Sequence, residues 1–272
     1  MDRLLRDLAP VSDAAWHAID DEARSRLSAL LGARRLADFS GPHGWEASSV
    51  PLGRVEDVTP ERPGDADVLS GVQVRRRVVA PLVELRTDFD VSRSDLRDID
   101  RGAVDPDFGA LEDAAARLAV AENRAIIHGL DALGIRGLTE ASSHEPVAAS
   151  GTGLEYPGRV AEAVEKLREV GVDGPYVLAL GLDEHTKLFE ATDRGYPVVD
   201  HLREIVGGPI VWTAGIEGGV LVSRRGGDFV FHCGSDVSLG YAGHDSESVT
   251  FYLEESFHFR VLEPDAAVEI RV

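Results

Sequence analysis

The sequence contains a single cysteine, Cys233, so an intrachain disulfide bond is impossible and a reducing compartment is favoured. No uninterrupted apolar run reaches the roughly 18 residues that a membrane-spanning helix requires. Residues 1–7 also lack an apolar stretch of signal-peptide length. We therefore expect a soluble, cytoplasmic protein that has no membrane partner.

Positive charge is scarce, since lysine occurs only at Lys166 and Lys187 and the formal net charge is −20 at pH 7. Such a surface repels phosphates, so the composition argues against a nucleic-acid partner. The one dense basic run, three arginines at 75–77, is better explained as a strand face that contacts solvent or another subunit. Few lysines and abundant aspartates suggest a halophilic source, because salt at 1 M confines repulsion between acidic surfaces to about 3 Å.

Motifs of the common enzyme classes are missing from the sequence. The chain has no GxSxG nucleophile turn, no HExxH helix, no Walker A loop and no GxGxxG turn. Gly151 and Gly153 begin a dinucleotide-binding turn, but Tyr156 occupies the position of its third glycine. We therefore predict no catalytic residues and a protein that is not an enzyme.

Potential metal ligands near the C-terminus are His232, Cys233, His244 and His258, but their spacing matches no zinc-binding pattern. His232 and Cys233 are neighbours and would point to opposite faces of a strand. No base is evident near Cys233 to activate its thiol. We predict structural or surface roles for all four and no metal site, and we interpret the glutamates at 254–255 as a solvent-facing strand edge.

The length and composition favour a globular protein, because 272 residues can bury roughly 75% of their unfolded surface. Trp16, Ile19, Ala23 and Leu27 recur at steps of three or four, which predicts a helix between residues 12 and 32. The patterns predict further helices at 108–133, 156–170, 183–192 and 198–206, and strands at 81–89, 176–180, 210–213, 219–223, 228–232, 248–254 and 257–262.

A segment rich in proline, glycine and valine separates the first helix from these elements. Pro42, Pro51, Pro60 and Pro63 exclude a long helix between residues 41 and 77 but allow short strands. A segment of this length without its own core is usually a functional arm, a lid or a disordered tail. We expect an arm that becomes ordered against another surface.

Several short motifs occur in order along nearly the whole chain. They are LLRDLAP at 4–10, GPHGWE at 41–46, PLVELR at 81–86, GVDGPY at 171–176, GYPV at 195–198, RGGDF at 225–229, SLGY at 238–241 and ESFHF at 255–259. In these motifs the chain resembles the shell proteins of encapsulin nanocompartments, a family once described as linocin-like bacteriocins.

The resemblance implies an α+β fold of the Hong Kong 97-like bacteriophage capsid type, with a peripheral domain, an extended E-loop and an axial domain. The implied parts are 1–40 for the N-terminal helix and the start of the peripheral domain, 41–79 for the E-loop, 80–135 for the peripheral domain with its spine helix, 136–224 for the axial domain and 225–272 for the last peripheral strands. The implied function is self-assembly into a closed icosahedral container that encloses cargo enzymes.

The resemblance also implies two functional sites. Cargo enzymes of the family carry a C-terminal targeting peptide, and by position the residues that bind it here are Leu27, Leu31, Arg34, Leu36, Asp38, Asp228 and Val230. The implied pore-lining residues are Glu190, Ala191, Thr192, Asp193, Arg194, Gly195 and Tyr196. A ring of carboxylates at that opening would favour cations over anions.

The resemblance leaves cofactor, cargo and shell size partly open. Some relatives bind a flavin through an aromatic residue just before the spine region, but Ser94 matches that position, so we predict no cofactor. Cargo in the family includes ferritin-like proteins and dye-decolourising peroxidases, which implies iron storage or a response to oxidative stress. The arm from Val55 to Val79 is longer than in familiar relatives. Two alternatives are a phage or prophage major capsid protein and a peptidase or bacteriocin.

Overall fold

Two large sheets and a separate hairpin dominate the computed structural model, which describes residues 3–59, 69–149 and 152–272. The strands are β1 (Asp38–Ser40), β2 (Ser49–Asp57), β3 (Arg75–Pro81), β4 (Val83–Ser92), β5 (Val147–Ala148), β6 (Tyr176–Leu180), β7 (Thr192–Asp193), β8 (Tyr196–Pro197), β9 (Ile210–Trp212), β10 (Gly219–Ser223), β11 (Phe229–His244), β12 (Ser248–Val261) and β13 (Ala267–Arg271). The helices are α1 (Asp13–Leu30), α2 (Arg93–Asp100), α3 (Gly109–Ile127), α4 (Leu138–Ala141), α5 (Tyr156–Glu169), α6 (Leu182–Glu190) and α7 (Val198–Val206).

Helix α1 confirms the predicted N-terminal helix. The Ser12 side chain accepts a hydrogen bond from the Ala15 amide at 3.1 Å and so caps its first turn. Trp16, Ile19 and Leu27 are buried along one stripe. This stripe packs against α3 and the ends of β4, β11 and β12, where the side chains form one of two hydrophobic clusters.

Helix α3 is the longest helix among the described residues, but it ends at Ile127, six residues before the predicted end. Gly129 has φ +81° and breaks the helix, because this left-handed backbone conformation is favourable for glycine. Leu130 then pairs with Ile135 in an isolated bridge, followed by the short helix α4. The predicted range of 108–133 is therefore too long.

The first sheet has the strand order β1-β11-β12-β4 and supports α1 and α3. Its two central strands are 16 and 14 residues long, and they replace the three short strands predicted for residues 228–262. Register shifts between Cys233 and Tyr241 interrupt the alternation of apolar and polar residues, which explains why the pattern looked fragmented. The solvent-facing edge predicted at 254–255 is wrong, because β12 lies between two strands and both glutamates are buried.

The second sheet has the order β5-β13-β10-β6-β9 and contains the other hydrophobic cluster. Strands β6 and β10 and helix α7 have the predicted bounds, and β9 ends one residue before its predicted end. Helix α6 ends at Glu190 and not at residue 192, because Thr192 begins a short strand. Helix α2 was not predicted from the sequence.

Strands β2 and β3 form a two-stranded sheet of their own, which corresponds to part of the predicted arm. Only Val50 and Ala80, at the base of this hairpin, are buried. We call residues 49–59 and 69–81 the arm. The prolines at 60 and 63, which also carried the prediction, lie outside the described residues.

Candidate functional site

Arg34 lies where α1, α3 and the first sheet meet, on a short 3-10 helix (Ala33–Leu36). Its Nε donates to both Glu122 oxygens, at 2.8 and 2.7 Å. Its Nη1 donates to Asp236 Oδ1 at 2.6 Å, and its Nη2 donates to Glu255 Oε2. One guanidinium group therefore connects carboxylates from a helix and two strands, and we call these four residues the Arg34 cluster.

The Arg34 cluster places two carboxyl groups beside one guanidinium group in the protein interior. Glu122 and Glu255 are almost completely buried, whereas Asp236 is exposed. Burial raises the pKa of Glu255 well above its usual value, and the neighbouring Glu122 raises it further, although Arg34 acts in the opposite direction. Burial by itself would lower the pKa of Arg34, but the surrounding carboxylates outweigh burial and keep the guanidinium charged.

Asn123, next to Glu122 on α3, fixes the backbone that leads into the Arg34 cluster. Its Oδ1 accepts a hydrogen bond from the Ala33 amide at 3.0 Å. Its Nδ2 donates to the Leu30 carbonyl at 2.9 Å and the Ala214 carbonyl at 3.1 Å. The Asn123 side chain is fully buried. It supplies hydrogen bonds to backbone groups at the end of α1 and in the loop before β10.

Two grooves open on either side of Arg34 and contain most of the predicted cargo-binding residues. The first, which we call the helix groove, has a volume of about 560 Å³ and is lined by Leu27, Leu31 and Arg34 of the predicted set. The second, the strand groove, has a volume of about 420 Å³ and is lined by Arg34, Leu36, Asp38 and Asp228. Arg34 lines both, so the structure brings six of the seven residues to one continuous region.

The polar residues of the strand groove are already engaged within the chain. Asp228 accepts hydrogen bonds from Arg225, with distances of 2.9–3.1 Å, and Asp38 accepts one from the Gly227 amide at 2.6 Å. Val230 pairs with Asp38 in the parallel register of β1 and β11. Strand alternation places it on the opposite face of β11 from Phe231, the ring that Arg34 contacts, and it is not among the residues that line either groove.

The residues predicted to line a pore form the end of α6 and a small hairpin of β7 and β8. Arg194 and Gly195, at its tip, have φ values of +48° and +89°, which is typical of a type I′ turn. The Tyr196 side chain is 78% exposed. The hairpin therefore presents Asp193, Arg194 and Tyr196 on a protruding surface.

The C-terminal histidines and Cys233 lie in or beside β11 and β12. Among the described residues, no group of three histidine, cysteine, aspartate or glutamate side chains could hold a metal ion. Burial raises the pKa of the Cys233 thiol to about 12, so it stays protonated and unreactive at neutral pH. In the described part of the chain, no helix is long and apolar enough to cross a membrane.

Glu255 is expected to make stability depend on pH. A carboxyl group whose pKa is raised in the folded state retains its proton while the unfolded chain releases it, so stability falls as pH rises above about 4.5. Glu255→Gln mimics the protonated form, and its unfolding free energy should fall less steeply between pH 5 and pH 8. Guanidinium denaturation at several pH values measures this slope. The exposed Glu247→Gln is the control, and a Glu255→Gln curve parallel to wild type would contradict the assignment.

Comparison with protein families gives an independent assignment. The model of the Linocin_M18 family, described as "Encapsulating protein for peroxidase", matches residues 1–258. A type 1 encapsulin shell protein from Rhodospirillum rubrum is 46% identical over 272 residues, covering 100% of this chain and 97% of the relative. The type 1 encapsulin shell protein from Brevibacterium linens is 44% identical and the one from Mycobacterium tuberculosis 38% identical, with 99% of both chains covered in each case.

Solved structures agree on the fold. A virus-like particle protein from Pyrococcus furiosus superimposes with a TM-score of 0.66 at 18% identity, covering 94% of this chain and 98% of the other. A chain from Mycobacterium phage Bobi gives a TM-score of 0.57 at 12% identity, covering 88% and 90%. These neighbours have Hong Kong 97-like capsid folds, so the implied α+β capsid fold is confirmed. The family match over residues 1–258 and the identities of 44–46% over nearly the full length show that this chain belongs to the encapsulin shell protein family.

Proposed function

We propose that copies of this chain assemble into a closed icosahedral shell that encloses cargo enzymes and exchanges small solutes through narrow pores. The observation that carries the proposal is the arm, a hairpin whose strands, among the described residues, pair only with each other and whose half farther from Val50 and Ala80 is exposed on both faces. Such a hairpin is marginal alone and becomes stable when a neighbouring subunit covers it. The same contact is repeated from copy to copy. The copies form a closed assembly when the rotations that relate neighbours lead back to the first copy.

Cargo docking is proposed at the helix groove and the strand groove. The floor of the helix groove is apolar, with Ala23, Leu27, Leu31, Leu239 and Leu253, so it suits aliphatic side chains of an extended peptide. Polar groups of Arg34 at the junction would orient the peptide. Since Asp38 and Asp228 are bound within the chain, we assign them the role of shaping the strand groove.

The proposed cargo is an oxidoreductase. The family description names peroxidase, which favours a dye-decolourising peroxidase and a role in oxidative stress. A ferritin-like protein and iron storage form the other possibility within the same shell function. Reading the C-terminal residues of the enzyme encoded next to this chain separates these cargoes.

The proposed pore lies at the β7–β8 hairpin, residues 190–196. Glu190 and Asp193 carry negative charge near the exposed tip, and Arg194 carries positive charge. Repeated around a symmetry axis, two carboxylates per copy would outnumber one guanidinium and favour cations. We also propose that assembly is stronger in molar salt, because salt screens repulsion between chains of net charge −20.

The alternative functions are less well supported. Phage capsid proteins share the fold, but the curated relatives at 38–46% identity carry the name of encapsulin shell protein. A peptidase would need a nucleophile or metal centre, and the described residues contain no cluster of three metal ligands. The family assignment and the geometry therefore both favour a container.

A loading experiment tests the proposal directly. The chain is co-expressed with a fluorescent reporter that carries the C-terminal residues of the neighbouring cargo enzyme, and particles are purified by size. We expect closed particles that retain the reporter. Ser28→Trp places a large side chain on the exposed rim of the helix groove and should reduce retained reporter at least tenfold while particles persist.

Ser25→Trp is the matched control, since Ser25 is an exposed serine of the same helix outside the groove. Leu27 is a poorer target because it is buried in the hydrophobic cluster beneath α1, where a charged residue would disturb folding. Absence of particles with the wild-type chain would refute the shell function. Equal loading in the two tryptophan variants would refute docking at the helix groove but would leave the shell function standing.

A further inference from the structure

The two faces of the arm differ in what they present to a partner. Residues opposite each other in an antiparallel pair share a face, so Arg77 lies beside Val55, and Val79 follows two residues later on the same side. Val55 and Val79 are each 48% exposed. The opposite face carries Arg54 beside Val78, which is half-buried. We call the side of Arg77, Val55 and Val79 the outer face of the arm.

Arg77 is the arginine of the outer face that has no carboxylate partner among the described residues. Arg75 forms an ion pair with Asp57 at 3.3 Å, and Arg76, on the other face, forms one with Glu56 at 2.5 Å. No ion pair or hydrogen bond of the Arg77 side chain occurs within the part of the chain that the structure describes. A guanidinium group between two exposed valines is a combination that suits an acidic surface with an apolar centre.

Net charge limits which surface a second copy can offer to this face. Residues 49–81 contain five arginines and five carboxylates, so the whole charge of −20 belongs to the rest of the chain. Two such acidic surfaces repel each other, whereas the electrically balanced segment 49–81 can approach a neighbour. The nine residues of β2 span about 30 Å when extended, and the half of this strand from Gly53 onward is exposed, so a neighbour can contact it.

The loop before α3, residues 102–107, has the complementary character. Val104 is 95% exposed, and Asp105 and Asp107 beside it are also exposed. Asp107 accepts a hydrogen bond from the Gly109 amide at 2.9 Å, and neither aspartate forms an ion pair within residues 3–59, 69–149 and 152–272. An exposed apolar side chain next to two carboxylates that form no described ion pair therefore complements a guanidinium group flanked by apolar side chains.

We propose that the outer face of the arm docks on loop 102–107 of a neighbouring copy, with Arg77 paired to Asp105 and the exposed valines in contact with Val104. This inference rests on the proposed assembly and assigns one of its contacts. The charge pair fixes the register of the contact, since like charges placed there are strongly disfavoured. The opposite face, with Arg54, takes no part in this contact.

Charge reversal on each face of the arm tests the docking. Arg77→Glu should reduce the fraction of protein in particles at least tenfold, measured by sedimentation velocity at equal protein concentration. Arg54→Glu makes the same charge change on the other face and should reduce it less than twofold. The double variant Arg77→Glu/Asp105→Arg restores opposite charges and should recover particles to within threefold of wild type. Circular dichroism of each variant checks that the chain is folded.

Two results would overturn the docking. Equal effects of Arg77→Glu and Arg54→Glu would show that the outer face is not special. A folded Arg77→Glu chain that Asp105→Arg fails to rescue would show that loop 102–107 is not its partner. Wild-type protein is measured in the same experiment, and its failure to form particles would refute the shell function itself, which is a different outcome.

Discussion

Arg34→Leu is expected to lower the free energy of unfolding by about 3–5 kcal/mol, because it leaves buried Glu122 and Glu255 without their cation. The Arg34 side chain is only 14% exposed, so water compensates little for its loss. Guanidinium denaturation of purified particles, at one salt concentration, measures the change. Glu122 belongs to α3 and Glu255 to the first sheet, so the variant also removes a charged contact between these two elements.

Arg35→Leu is the matched control, since Arg35 is the adjacent exposed arginine and its described side-chain hydrogen bond goes only to the Ser28 carbonyl at 3.0 Å. Its effect should stay below about 1 kcal/mol. Adding Glu122→Gln and Glu255→Gln to Arg34→Leu should recover part of the loss, because buried charge is then removed together with its partner. Similar effects of the two arginine variants would contradict this role of the Arg34 cluster.

Removal of the arm is expected to abolish particles while leaving the subunit folded. Replacing residues 53–77 by two glycines keeps the buried pair Val50 and Ala80 at the base of the hairpin. The removed strands pair only with each other, so the thermal midpoint of the subunit should change by no more than a few degrees. The shortened chain should sediment as a small species, since an edge contact repeated by every copy is lost.

Size-exclusion chromatography with light scattering measures the mass of the shortened protein. The references are the mass of one wild-type chain, 29.3 kDa, and the mass of the assembled wild-type particles. Chains in which only residues 60–68 are shortened provide the control, because the paired strands of the arm are retained. Particles of unchanged size after removal of residues 53–77 would show that other contacts hold the shell together. A folded monomer would agree with the proposed role of the arm.

Local sequence signals identified the elements whose burial follows a simple period. Helix α1 has a serine cap and an apolar stripe, and helix α7 has the predicted bounds, because helical spacing alone decides which residues face the core. Strands β6 and β10 are fully buried runs between turn residues and were also found. The motifs along the chain predicted the family and the fold, and both are confirmed.

Signals failed where a long-range contact overrides the local pattern. The register shifts in β11 broke its alternation, and a positive φ at Gly129 ended α3 before the predicted residue 133. Glu122 occupies a position on the apolar stripe of α3 between Leu118 and Ile126, and this position in the sequence indicates a buried carboxylate. A carboxylate at such a position needs a buried cation, but its identity is set by another part of the chain.

The sequence by itself therefore determined the family, the capsid fold, most helices and the buried strands, because these depend on periodicity and on motifs that are local. Only the tertiary structure decided that Arg34 joins Glu122, Asp236 and Glu255. It also decided that Val230 faces away from the side of β11 where Phe231 contacts Arg34. The physical reason is that the cost of a buried charge and the side a strand residue faces both depend on neighbours distant in sequence, which no local pattern contains.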